Sequence, residues 1–247
     1  MKKWELGALD IYDCSKEGHL DIYFDFIRNS YKDLKGNIFE FGVFKGKSLL
    51  ATALLLKSLG SDKRIFGFDS FSGFPSYNEK DKISQFKILY EDNKISKNHY
   101  LDVVRNIEIR SLYLKDKFTL NAETISNSGD FSNCNYEFLQ KKIDFLGLDN
   151  ITIIKGDFKD TLNNIEDLGE TMCCLIDCDL YESYKYTLPK AWGNTTIGGM
   201  IYLDEYYSLK FPGAKIAVDE FIKDKNIKIE MKSTNYDPDF LRSYIIK

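Results

Sequence analysis

Five short apolar runs, each closed by a carboxylate or a glycine turn, recur along this 247-residue chain and constrain its fold more than any other feature. They occupy residues 37–43, 64–69, 151–155, 172–177 and 199–204, and their β-branched and aromatic content reads as strand. Amphipathic segments at 47–59, 160–168, 182–192 and 213–223 read as helices between them. Two further strands close the chain near 227–231 and 240–246. Strands alternating with helices predict an α/β fold, a doubly wound and mostly parallel sheet with helices on both faces.

One domain spanning 1–247 fits this length, and the balance of side chains supports a folded chain: 43% hydrophobic, with 18 Phe and 16 Tyr against only 4 Pro. The net charge of -4, with Lys and Arg scattered, argues against nucleic acid as a partner, because phosphate binding needs a basic face. No apolar run approaches the roughly 18 residues of a membrane span, and Met1 to Glu5 leads into acids instead of a signal-peptide core, so a cytoplasmic protein is expected. The odd count of five cysteines fits reduced thiols. Cys173, Cys174 and Cys178 lie in or beside one run, where a zinc site competes with buried thiols. A strand would point Cys173 and Cys174 to opposite faces, which favours the thiols. Monomer and homo-oligomer are both compatible with the sequence.

Between residues 70 and 150 the alternation stops for far longer than an ordinary βα connection. A helix is predicted over 136–146. The preceding stretch, 77–131, is polar, lysine-rich and aromatic, and reads as a mobile cap inserted over the active site or as a plain surface insertion.

Three strand ends suggest a nucleoside ligand. The first passes from Glu40 through Gly42 and Gly46 to a helix start at Ser48, where glycines let a ligand approach and the helix offers unpaired N–H groups. Its G-x-x-x-G spacing is not that of a dinucleotide fold. The second ends at Asp69-Ser70, where an acid accepts hydrogen bonds from ribose hydroxyls or caps a helix. The third continues as Gly156-Asp157-Phe158, with the acid either near an adenine amine or opening the next helix.

The fourth and fifth strands end in paired acids, Asp177 with Asp179 and Asp204 with Glu205. Carboxylates brought together on neighbouring strands repel and raise one another's pKa unless a cation neutralises them. Hard oxygen donors with room for water or substrate oxygen suit magnesium. The alternative is acids that cap helices or face solvent.

Five stretches in order carry a resemblance: Glu40 to Gly46 (E-F-G-V-F-K-G), Asp69 to Pro75 (D-S-F-S-G-F-P), Gly156 to Leu162, Asp177 to Ser183 (D-C-D-L-Y-E-S) and Gly198 to Tyr206 (G-G-M-I-Y-L-D-E-Y). Together with residues 212–221 they are similar to the macrocin O-methyltransferase family of TylF and MycF type. The resemblance implies a class I, Rossmann-like methyltransferase fold, S-adenosylmethionine and Mg2+ as cofactors, and a sugar hydroxyl in a glycan precursor or natural product as acceptor. It also implies Asp177, Asp204 and Glu205 as metal ligands, Glu40 and Gly42 on the methionine side of the cofactor, and Asp69 at its ribose. Two positions depart from the family: Glu205 stands where Asp is usual, and Cys178 where Gly is usual.

Methyl transfer is an in-line displacement that needs an aligned oxygen and a proton acceptor, a role Asp177 or Asp179 suits. Tyr181, Tyr206, Tyr207 and Phe211 suggest a sugar-stacking wall or ordinary core aromatics. His19 and His99 are the only histidines, each a base on a loop or a solvated side chain. A non-catalytic S-adenosylmethionine-binding protein and a nicotinamide oxidoreductase remain the rival readings.

Overall fold

The computed structural model describes residues 1–114, 120–163 and 165–247. From the N-terminus the elements are α1 (Lys3–Ala8), α2 (Asp21–Ser30), β1 (Asn37–Phe41), α3 (Lys47–Ser58), β2 (Ile65–Asp69), α4 (Gln85–Glu91), α5 (Lys97–Ser111) and α6 (Tyr136–Leu146). There follow β3 (Ile151–Lys155), α7 (Phe158–Thr161), β4 (Thr171–Ile176), α8 (Tyr181–Asn194), β5 (Thr195–Leu203), α9 (Pro212–Ile222), β6 (Glu230–Ser233) and β7 (Leu241–Ile246). Seven strands form one sheet in the order β3-β2-β1-β4-β5-β7-β6. The first five are parallel, and β7 runs antiparallel to both β5 and β6.

Strand β4 is buried throughout and apolar from Met172 to Ile176, as a central parallel strand covered on both faces must be. Its alternating side chains feed two cores. Cys173 and Leu175 join α2, α3 and α6 through Tyr23, Ile27, Leu49, Leu56 and Ile143. Cys174 and Ile176 join α8 and α9 through Tyr184, Leu188, Ala214 and Val218. The cysteines of the run are thus free thiols split between the faces. Among the described residues no helix is long and apolar enough to cross a membrane.

The order reverses between β1 and β4, and in doubly wound sheets the crevice at such a reversal binds ligands. Both strands point their carboxyl ends at it. The helix predicted at 160–168 is instead the short α7 and a 3-10 turn, Ile165–Leu168, because Asp157 caps only a brief turn; residue 164 lies outside the described residues. Strand β6 lies a few residues later than predicted, and β5 starts earlier, at Thr195.

The insertion at 77–131 contains a 3-10 turn, Glu79–Asp81, and the helices α4 and α5; its residues 115–119 lie outside the described ones. Phe86, Leu89, Ile95 and Val103 give it a small core of its own, packed against Leu209 and Ile216. At its base the Phe74 N–H donates to the Asp130 carbonyl at 2.9 Å, so its two ends meet.

Candidate active site

The turn after β1 is shaped by one carboxylate. Asp69, last residue of β2, accepts the N–H groups of Val43 and Phe44 on Oδ2 at 2.7 and 2.8 Å, and that of Phe71 on Oδ1 at 2.7 Å. Phe44 and Phe71 both have positive φ, 52° and 54°, a conformation that needs such support in a non-glycine residue. The two glycines serve packing. A Cβ on Gly42 would run into the Asp177 carbonyl, and one on Gly46 into Leu139 of α6. Ser48 donates to Glu40 Oε1 at 2.7 Å, while Glu40 Oε2 is buried with no hydrogen-bond partner among the described residues. Burial pushes the Glu40 carboxyl up to about 8, against the Ser48 hydrogen bond.

Beside this turn lies a cavity of 390 Å³. Gly42, Ser48, Asp69, Ser70, Gly156, Asp157 and Phe158 line it; Glu40 sits behind Ser48, and Gly46 stands outside the lining. Asp157 both lines the cavity and caps α7, accepting the Lys159 N–H at 2.8 Å. Asp177, Cys178 and Asp179 reach the same cavity from the other side of the reversal.

The strand ends hold those acids in place. Phe41 and Ile176 carbonyls accept the N–H groups of Asp177 and Asp204 at 2.9 and 3.1 Å, extending the ladders one residue past each strand. Carboxylate oxygens of Asp177, Asp179 and Glu205 lie within 4.8 Å of one another. Asp204 is not in that group, although its Oδ1 is buried with no hydrogen-bond partner among the described residues. Burial first, then the neighbouring acids, holds the Asp177 and Asp179 carboxyls well above their usual range. Burial raises Asp204 and Glu205 as well, while Arg242 and Lys210 oppose the rise. Glu205 above all, with the three aspartates, draws the Lys210 ammonium upward in turn. The arrangement gathers four carboxyl groups at the buried end of a cleft, where they can hold a cation or accept a proton.

Other residues of the site carry no local signal. Tyr12, His19 and Leu20 of the N-terminal segment line the cavity, as do Phe74, just before the insertion, and Phe131 at its end, whose rings lie 5.0 Å apart. Burial and nearby cations hold the His19 imidazole down at about 4. His99 is neither solvated nor at the cavity: it is 3% exposed, with Nε2 2.7 Å from the Ser208 carbonyl. The aromatic wall does not form from the four residues considered for it. Tyr181 donates to Glu220 at 2.6 Å, Tyr206 to Asp219 at 2.9 Å, Tyr207 stacks on His99 and Phe211 is core. Tyr186, one turn into α8, lines the cavity instead.

Known proteins share this architecture. NovP, an O-methyltransferase of solved structure, superposes with a TM-score of 0.62 at 18% identity, over 98% of this chain and 79% of its own. The calicheamicin methyltransferase CalS11 gives 0.62 at 18%, over 99% and 80%. In sequence, the demethyldecarbamoylnovobiocin O-methyltransferase of Streptomyces niveus is 26% identical over 219 residues, 85% of this chain and 69% of the relative. The family model described as macrocin-O-methyltransferase (TylF) matches residues 100–243, which include both acid-bearing strand ends. With that match over more than half of its length, on a methyltransferase fold, the chain belongs to the TylF macrocin O-methyltransferase family and is an S-adenosylmethionine-dependent O-methyltransferase.

Proposed function

We propose that this enzyme methylates a hydroxyl of a sugar acceptor with the help of a divalent cation, magnesium, held by Asp177, Asp204 and Glu205. The observation that carries the reading is the convergence of the Asp177, Asp179 and Glu205 carboxylates within 4.8 Å beside the cofactor cavity. Asp204 Oδ1, buried and without a geometric hydrogen-bond partner among the described residues, adds a further oxygen donor. Such an all-carboxylate set fits a hard cation with open positions for water or substrate. The same convergence favours a second assignment, in which Asp179 and not Asp204 completes the ligand set.

When bound, S-adenosylmethionine supplies the electrophilic methyl group and the cation supplies Lewis acidity toward the acceptor hydroxyl. The chain's own residues do the rest. Asp69 and the turn it ties together receive the ribose side of the cofactor, with Gly156, Asp157 and Phe158 on its adenine side. Ser48 and, behind it, Glu40 serve the methionine end. Asp179, 6% exposed and raised by burial and then by the neighbouring acids, takes the hydroxyl proton as general base, and Asp177 is the alternative acceptor. Phe74, Phe131, Leu20 and Tyr12 narrow the cleft and exclude water from the transfer.

The test is mass-spectrometric detection of a methylated product from candidate nucleotide-sugars and glycan extracts, with S-adenosylmethionine and magnesium present. Chelation is expected to abolish the product and magnesium to restore it. Full turnover in protein shown by elemental analysis to be metal-free would overturn the cation's part. Tight S-adenosylmethionine binding without any product from a broad acceptor panel would favour a binding protein that has lost catalysis.

A further inference from the structure

The two halves of the carboxylate cluster are each tied to the insertion by a buried side chain that stays out of the cavity lining. We propose that these side chains, Asp81 and His99, are positioning residues, and that the insertion braces the reacting centre from both sides.

The first tie runs to Asp179. Helix α8 begins at Tyr181, immediately after the stretch from Asp177 to Leu180, and Leu180 in the N-cap position makes no side-chain cap. Asp81, 2% exposed, supplies the missing acceptor from 100 residues away: its Oδ1 takes the Tyr181 N–H at 2.8 Å. Its Oδ2 takes the Asn78 N–H at 2.9 Å, which fixes the carboxylate's direction. Asn78 also donates to Glu182 at 2.8 Å, and Lys80 to the Tyr181 hydroxyl at 2.7 Å. Gly213 makes room, since a Cβ there would run into Asp81 Oδ1 and crowd Tyr181. Asp179 has a φ of 57°, and a non-glycine residue keeps that conformation only where its surroundings hold it. The capped Tyr181, two residues on, is such a hold.

The second tie runs to Glu205. From α5, His99 meets the Ser208 carbonyl through Nε2 at 2.7 Å and stacks on Tyr207 with ring centroids 4.0 Å apart. Asn106, two turns further along α5, donates to the Leu209 carbonyl at 3.0 Å. The Ser208 hydroxyl accepts the N–H groups of Lys210 and Phe211 at 3.0 and 2.9 Å, closing the turn that follows Glu205. The loop that carries Glu205 and Lys210 thus takes its shape from the insertion.

The inference rests on Asp179 and Glu205 belonging to the reacting centre, so two readouts on the full chain separate the claims. In titrations with manganese as a paramagnetic stand-in, Asp81→Ala and His99→Ala are expected to weaken metal binding about 10- to 100-fold, the scale of losses when groups that orient ligands are removed. S-adenosylmethionine affinity should stay within about twofold, because the Asp69 turn is untouched. Asp81→Asn, which keeps an oxygen for the Tyr181 N–H but loses the acceptor for Asn78, should recover part of the loss, and His99→Gln, which keeps a donor, most of it. Tyr100→Ala, breaking the stacked Tyr90–Tyr100 pair at 4.7 Å, should lower the melting temperature and move neither affinity. Equal losses for both ligands, or none, would overturn the brace. The second readout, amide exchange in the metal-free protein, should rise at 177–181 in Asp81→Ala and at 205–209 in His99→Ala, with 42–46 unchanged. If the parent protein binds no manganese, the metal reading fails and exchange alone decides: a rise confined to those segments upholds the brace, and a diffuse rise or none sinks it.

Discussion

Gly42 and Asp177 meet backbone against backbone, so closely that a Cβ on the glycine, whose φ is 90°, would run into the aspartate carbonyl. The contact clamps the glycine turn after β1 to the acid-bearing end of β4. Gly42→Ala is therefore expected to cost about 2–4 kcal/mol of stability, from backbone strain and from prying the two strand ends apart. Thermal denaturation of the ligand-free protein measures it. An unchanged melting curve with weakened S-adenosylmethionine binding would mean that the position serves only ligand access.

Asp69 does two jobs at once by geometry: three backbone N–H groups use it, and it faces the cavity. Asp69→Ala should weaken S-adenosylmethionine binding about 10- to 100-fold, since charge-assisted hydrogen bonds and the turn's shape are lost together. Asp69→Asn, which can accept at only one atom, should fall between. Calorimetry gives both values, and parent-like affinity in the alanine variant would remove Asp69 from the cofactor site.

Removing one acid from the cluster should separate activity from stability. Asp177→Asn, Asp179→Asn, Asp204→Asn and Glu205→Gln are all expected to reduce methyl transfer. The metal-free protein should meanwhile become more stable by about 1–2 kcal/mol at pH 8, because a buried like-charge repulsion is relieved. The metal affinities of the four variants then rank the ligands. If Asp179→Asn binds manganese like the parent and Asp204→Asn does not, Asp204 is the third ligand and Asp179 the base; the reverse ranking exchanges their roles.

Stability of the metal-free, cofactor-free protein should fall as pH rises. Glu40 is raised from 4.5 to about 8, so the folded state holds its proton more tightly than the unfolded chain does. Its contribution is complete below pH 4.5 and is lost as pH climbs through about 8, of order 5 kcal/mol across that window. Asp177 and Asp179 are raised as well and act in the same direction. Glu40→Gln, still able to accept from Ser48, should flatten the dependence in urea denaturation between pH 5 and 9. A parent profile that rises over this range would contradict the burial of a proton-holding Glu40.

Much of this enzyme was legible in short stretches of its sequence, because the relevant physics is local. A buried parallel strand needs an unbroken apolar run, and residues 172–176 have one; a carboxylate at or directly after the end of a strand stands at the sheet's edge, as Asp69, Asp177 and Asp204 do. The glycine turn was readable in the same way, although the glycines proved to make room for Asp177 and Leu139 and not for a ligand alone. What depended on distant partners could not be read. Tyr12 and His19 reach the cavity only because α2 packs Tyr23 and Ile27 into the core, and Tyr181 and Tyr206 looked like a substrate wall until Glu220 and Asp219 claimed their hydroxyls. Lys210 and Arg242 show no motif and face the acids only through the loop and the antiparallel strand that bring them there. Periodicity and chain-adjacent acids fix which elements form and what their ends carry. Which side chains then meet across 100 residues, as Asp81 and Tyr181 do, is decided by burial and by the need of every buried donor for an acceptor, and that balance exists only in the folded chain.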